Sequence, residues 1–480
     1  MVIKFSIIDR YKLDPRSLAL FRIGLGLLII IDVLSFAPYL EFFFTHDGVL
    51  PPDAYQYRHW YDGSLLKLSG SPVILIAMLS LQVVMAALLA LGWKTRLSTL
   101  INFVLLLSLN HRFPAALNGG DSLLGLMLFW SLFLPLDGNF RLKRFRSPNS
   151  QTVSGLASIA FSLQIALVYL MTALIKDNQI WISEGTAIYH VLNLQDIVRP
   201  FWIGKFNEFN FALKGLSAFT LVGEALIGLA ILALPFLHDK LKLALVLAGV
   251  LMHLLFFMFL DVGIFPFINM VSFLPFLPAG FWDKLKINKP LTEDRVKTRW
   301  SAALYYGQNA MLVICMYAVL AINLTDYIPK SKVPLWSATK PLCDVLDLHQ
   351  RWGMFSVPAT FNVWLNVVGI DEKNQPVNLQ LPNLYLSHRH PEKGKKMYKS
   401  HRMQLFAENL ALPKSFNHKK QFLIWMYKRY EQEQKAPLRS ITLLSNVSSN
   451  FPLEATHKPI EVDTLYTMAG PELQKMTASK

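Results

Sequence analysis

Cysteine is almost missing: the 480 residues include two, Cys315 and Cys343. A disulfide framework is therefore excluded, and with no C-x-x-C or zinc-type spacing no metal site is expected. Charge is scarce as well. Asp, Glu, Lys and Arg make up 16% of the chain, against about 25% in soluble domains. Acidic residues are the rarer sign, 32 against 47 basic. No glycine-rich loop opens a helix to hold a phosphate, no histidine pair has haem spacing, and no cysteine set suits an iron–sulfur cluster. No internal repeat is visible, which argues against an inverted-repeat transporter. The first sixteen residues are mixed and charged, and the first apolar run lacks a small-residue cleavage site, so no cleavable signal peptide is expected.

What the chain has is apolar length. It is 53% hydrophobic, and several runs approach the ~20 residues a helix needs to cross a bilayer. Apolar segments read near 17–37, 72–92, 97–113, 121–137, 155–175, 215–236, 242–260, 263–280 and 302–323. The last two before 302 are nearly continuous and as one helix would run roughly 58 Å, so a reversal is expected near Asp261, Gly263 and Pro266. The expected fold is an all-α multi-pass transmembrane bundle of about nine spans over 1–325, followed by a small extramembrane α+β domain over 326–480.

Basic residues recur at every second connection: Lys4, Arg10, Lys12 and Arg16; Lys94 and Arg96; Arg141, Lys143, Arg144 and Arg146; Lys240 and Lys242; and Lys284 through Arg299. Short loops rich in lysine and arginine stay cytoplasmic. The N-terminus is therefore expected in the cytoplasm and the C-terminal domain outside, in a bacterial inner membrane. Membrane lipid is the partner this charge implies; much of the net charge of +15 sits in these loops and does not by itself point to nucleic acid.

Against this background Lys176, in LIKDNQIWISEG at 174–185, stands out. It sits at the outer end of the fifth segment, where orientation does not call for a cation. It reads either as a snorkelling anchor with Trp181 as a belt residue, or as a functional amine. Tyr169 and Thr172 share its helical face, which turns that face toward protein or water. Arg22, Asp32, Glu224 and His253 lie within spans, and Asp121 and Asp261 at span ends. Such groups usually face a bundle interior. Each also has a structural reading: an ion pair or lipid phosphate for Arg22, helix packing for Asp32 and Glu224, a helix cap for Asp121, a core hydrogen bond for His253. An amine in an apolar mouth, short of water and without an acid partner, would have its pKa lowered enough to act as a base. Asp177 and Glu184 are the carboxylates nearest in sequence.

Beyond 326, FNVWLNVVGI at 361–370, VNLQLPNLYL at 377–386 and SITLLSNVSS at 440–449 alternate as strands do, and QFLIWMYKRYEQEQ at 421–434 reads as an amphipathic helix. The basic run KGKKMYKSHR at 393–402 reads as a solvated face, and the tail from about 455 as loose.

The opening DPRSLALFRIGLG at 14–26, Asp32, and FFFTHDGVLPP at 42–52 resemble the start of the HTTM family, the membrane domain shared with vitamin K-dependent γ-carboxylase. NGGDSLL at 118–124, LIKDNQIWISEG, MHLLFFMFLDVGIFPF at 252–267 and QRWGMFS at 350–356 continue the resemblance in order. In the carboxylase a lysine base deprotonates vitamin K hydroquinone, oxygen turns the quinol into a strongly basic alkoxide, and carbon dioxide adds to the glutamate carbanion it generates. The resemblance implies Lys176 as the base and His253 as its assistant, with Arg22, Asp32, Asp121, Tyr169 and Trp181 shaping the site. It implies reduced vitamin K or a related quinol as cofactor, oxygen and carbon dioxide as co-substrates, and a glutamate-bearing peptide or protein on the outer face as substrate. Asn118-Gly119-Gly120-Asp121 departs from the carboxylase's asparagine–asparagine–histidine stretch, and one extra residue separates Trp181 from Gly185. The alternative is a non-enzymatic maturation or immunity factor that binds an exported peptide.

Overall fold

In the computed structural model, residues 10–52, 64–137, 140, 155–287, 299–325, 327–392, 395–450 and 460–469 are described. Lys4, Arg141, Lys143, Arg144, Arg146, Lys289, Arg295, Lys297 and the first two residues of the 393–402 run lie outside them.

The chain opens with α1 (Pro15–Phe36), which Asp14 caps by accepting from the Arg16 N–H. Then come α2 (Leu40–Phe44), α3 (Pro72–Leu91), α4 (Thr95–Arg112), α5 (Gly119–Ser131) and α6 (Leu156–Leu174). Two short helices, α7 (Gln179–Ile182) and α8 (Ala187–Val191), precede α9 (Asn210–Leu232) and α10 (Asp239–Phe259). The chain reverses into α11 (Phe265–Phe273), then α12 (Ala279–Lys284) and α13 (Arg299–Leu324). The reversal falls where it was expected, at Gly263, whose φ of +63° favours glycine.

Among the described residues six helical stretches are long and apolar enough to cross a membrane: Pro15–Phe44, α3, α6, α9, α10 and Tyr305–Leu324. The chain is a multi-pass membrane protein. The expectation of about nine spans is met in part, because three of the anticipated segments fall short. The thirteen residues of α5 reach only about 20 Å. α11 has nine residues before a 3-10 turn. α4 buries Ser98, Thr99, Asn102 and Asn110 and has a low apolar content. α5 and α11 pack inside the bundle, whereas α4 keeps Leu97, Leu100 and Val104 on the surface. α9 and α10 carry the opposite surface, with Phe211 93% and Phe219 73% exposed.

The C-terminal part holds α14 (Trp336–Leu346), α15 (His401–Ala411), α16 (Phe416–Gln434) and an antiparallel sheet in the order β2-β1-β3-β4. β1 (Phe361–Asp371) pairs along its length with β3 (Leu438–Ser449). β2 spans only Pro376–Asn378. The longer strand read to 386 stops at Asn378, and beyond it the chain makes isolated bridges, Leu384 with Tyr398 and Leu386 with Leu365. The tail is less loose than composition implies, because Glu461–Ala469 forms β4 against β3. The basic run 393–402, expected as a solvated face, exposes Lys395, Lys396 and Lys399 but buries Met397, Tyr398 and Arg402, the last on α15.

Candidate functional site

α6 stops at Leu174, and the turn after it points Lys176 inward, leaving it 2% exposed. Its Nζ lies 2.5 Å from Glu224 Oε2 on α9 and 4.4 Å from the centre of the Trp181 ring. An amine without an acid partner is therefore not what the chain builds. Neither nearby carboxylate is responsible: Asp177 is exposed, and Glu184 accepts from Thr186. Glu224 reaches the amine because α6 and α9 pack closely around Gly228, where a Cβ would lie 2.6 Å from Leu170 Cγ. Glu224 is one turn from that contact on the same face. Burial lowers the Lys176 pKa from its ordinary value, and the Glu224 carboxylate pulls it back up.

The pair borders a cavity of about 300 Å³. Thr172, Lys176, Thr220 and Glu224 form its bundle wall, and Phe256, Leu260 and Phe265 its apolar side. Trp181 lines it too, buried and donating from Nε1 to the Phe355 carbonyl at 2.9 Å, so it is not a belt residue. The QRWGMFS segment covers the cavity with Trp352, Met354 and Phe355. It is tied down where Asn178 Nδ2 donates to the Ser356 carbonyl at 2.7 Å, and where Gln164 Nε2 donates to Gln350 Oε1, also at 2.7 Å.

The opposite wall comes from the C-terminal part. His401, Gln404, Leu405 and Glu408 of α15 line the cavity at helical spacings of three and four, one face of the helix. Asn118 Nδ2 lies 2.8 Å from His401 Nε2, His401 Nδ1 is 3.2 Å from Gln404 Oε1, and Gln404 Nε2 donates to Glu408 Oε1 at 2.8 Å. Asn118 Nδ2 can only donate, which leaves the His401 proton on Nδ1 and orders the ladder toward Glu408. Burial and the adjacent Arg402 cation lower the His401 pKa, in keeping with a neutral ring.

The remaining expected residues go elsewhere. His253 does not line the cavity; its Nε2 meets Tyr169 Oη at 2.7 Å, and Tyr169 donates to Asn269 Oδ1 at 3.2 Å. The rings of Phe256 and Phe265 pack against His253 and also line the cavity, so the histidine stands behind them. Tyr169 is thus second to the cavity as well. Asp32 and Asp121 both hold Arg402, the first through Oδ1 and the second at 2.8 Å, and the guanidinium lies 4.0 Å over Phe36. Asp121 also closes the cap of α5 by accepting from the Asn118 N–H at 2.7 Å. Arg22 is spent on carbonyls, donating to Leu136 at 2.9 Å and Phe140 at 2.8 Å. Of the expected set, only Lys176 and Trp181 meet at the cavity. Glu224 has an equally good packing reading in sequence, His401 and Arg402 end a run that looks merely basic, and Glu408 lies beyond that run with nothing local to mark it. The 401/404/405/408 spacing was the available signal. Among the described residues no group of three or more His, Cys, Asp or Glu is placed to hold a metal ion.

A family model described as HTTM domain matches residues 11–281, more than half of the chain. No curated protein and no solved structure matches.

Proposed function

The chain belongs to the HTTM domain family, and from that premise we propose that it is a quinol-dependent, γ-carboxylase-like membrane enzyme acting on a glutamate-bearing peptide or protein at the outer face. The observation that carries this reading is a buried lysine–carboxylate pair in a ring-sized cavity between the bundle and the outer domain. At about 300 Å³ the cavity suits a small molecule, apolar on most sides with a few converging polar groups. A quinol head fits that donor set, and α9 and α10, which supply Thr220, Glu224 and Phe256 to the cavity wall, carry exposed apolar side chains on their other faces, which suits a lipid-soluble tail. When bound, a reduced quinone would supply an acidic hydroxyl and the electrons for oxygen.

Lys176 and Glu224 act in this reading as one unit. With the shared proton on the amine, Glu224 is the atom set to accept a hydroxyl proton, and the ammonium stays beside the oxygen that loses it. Trp181 holds the amine in place through its ring face. The lid segment and α15 keep water out. His253 and Tyr169 support the α6–α10–α11 packing behind the cavity and complete the positioning. We also propose nine crossings, on the nine apolar segments and the basic residues at every second connection, with the N-terminus cytoplasmic and the domain after 326 extracytoplasmic, in a bacterial inner membrane.

The test is incorporation of labelled carbon dioxide into exported proteins by the purified chain with a reduced quinone and oxygen. Quinol-dependent labelling that disappears in Lys176→Ala and in Glu224→Gln supports the reading. Labelling retained by Lys176→Ala overturns the role of the pair. A peptide recovered bound but unmodified, with no quinol-dependent labelling, replaces the enzyme by a binding factor.

A further inference from the structure

The cavity has polar groups on different parts of the molecule, with Arg351 of the covering segment beside two main ends. One is the Lys176–Glu224 pair of the bundle; the other is the end of the α15 ladder. Glu408 Oε1 is occupied by the Gln404 amide, so Oε2 is the atom left for another partner. The side chain is enclosed on most sides yet keeps part of its surface open at the cavity wall. Asn118 and His401, at the start of the ladder, fix its direction.

We propose that the Glu408 carboxyl group donates a hydrogen bond to the second oxygen of a 1,4-dihydroxy-aromatic ligand whose first hydroxyl faces Lys176 and Glu224. The inference rests on the quinol reading and deepens it: the outer domain is not only a cover but supplies half of the ligand's polar recognition. The chemistry is that of a two-ended ring. A quinol carries hydroxyls at opposite ends, and a cavity this small places both against polar walls or leaves one buried without a partner, which costs binding. The protonation state agrees with the geometry. Burial, then the Asp196 carboxylate, raise the Glu408 pKa to about 8, so a donor proton is present at neutral pH. A carboxylic acid kept neutral by its surroundings to donate a hydrogen bond is a known catalytic device.

The experiment compares two probes, naphthalene-1,4-diol and 1-naphthol, binding anaerobically to the full chain and followed by quenching of Trp181 and Trp352, which line the cavity. The probes differ by one hydroxyl, so their affinity ratio within each variant is insensitive to the fraction folded. The wild type is expected to favour the diol about tenfold, the value of one good hydrogen bond. Glu408→Gln, which keeps an N–H donor, should hold that preference within about threefold, and Glu408→Ala should erase it while 1-naphthol binds as before. An unchanged preference in Glu408→Ala overturns the inference while leaving the quinol reading standing. Binding of neither probe to the wild type overturns both.

Discussion

At the residue scale, the Lys176–Glu224 contact decides what kind of base the site can have. A buried ion pair is weak support for stability, but breaking one costs about 3–5 kcal/mol because a lone charge stays behind. Lys176→Met and Glu224→Met should each lower the unfolding temperature of the detergent-solubilised protein. The double variant should recover most of that loss, since two apolar side chains of similar length leave no charge uncompensated. It should nevertheless be inactive in quinol-dependent labelling. An active double variant would show that the pair is packing and no more. Glu408 offers a second handle, through pH. Its folded pKa is raised, so its donor proton is present below about 8 and lost above it. Asp196 and Tyr398 interact with it electrostatically, His401 lies along its own helix, and Lys176, Glu224 and Arg351 line the same cavity. Diol preference should therefore decline as pH rises through that value, and Glu408→Gln should flatten the decline. The sign of the stability effect is the same: a carboxyl raised in the fold stabilises fully below its unfolded pKa and loses that contribution as pH rises toward the folded value.

At the element scale, the site depends on how closely two helices approach. Gly228 allows α6 and α9 to touch, and Leu170 lies across from it with both its side chain and its backbone nitrogen, 3.1 Å from an added Cβ. Gly228→Ala therefore cannot be absorbed by Leu170's side chain alone. It should push the helices apart one turn from Glu224 and lengthen the ion pair. The expected result is a loss of labelling activity of about tenfold or more with a modest drop in unfolding temperature, since misplacement of reacting groups costs rate steeply. Activity equal to wild type would mean the pair tolerates a wider seam. This contact also explains what could be read in advance. Apolar length and basic loops exposed the long helices, because hydropathy and charge are local properties. Lys176 stood out because it broke that local pattern. Glu224 could not be assigned to it, because the partner is set by the stagger of α6 against α9, a property of packing. Asp32 and Asp121 were found as unusual residues but placed in the wrong cluster. Their common partner, Arg402, is 370 residues from Asp32 and sits in a stretch that resembles ordinary solvated charge.

At the scale of the whole molecule, Arg402 joins the bundle to the C-terminal part and so determines whether the cavity has its second wall. It is 4% exposed, donates from Nε to Ser35 Oγ at 2.9 Å and from Nη1 to the Ala116 carbonyl at 2.8 Å, and contacts two carboxylates from α1 and α5. His401 precedes it and points to the cavity instead, because adjacent residues diverge by about 100° around a helix. The same docked helix thus places the lock on one face and the ladder on another. Gly263 permits this fit, since a Cβ there would lie 2.2 Å from His401 Cδ2. Arg402→Ala leaves two buried carboxylates without their cation, and Arg402→Lys cannot reproduce a planar fork that serves Asp32, Asp121 and Ser35 together. Both variants should insert normally, because the apolar helices are untouched. Both should raise hydrogen exchange over 401–411 and make the preference for naphthalene-1,4-diol over 1-naphthol collapse, as in Glu408→Ala. The bundle end of the site should survive, so 1-naphthol should still bind. If exchange in α15 stays at the wild-type level in Arg402→Ala, the guanidinium does not hold the domain down, and the outer wall must be kept in place by the Gln164–Gln350 and Asn178–Ser356 contacts instead.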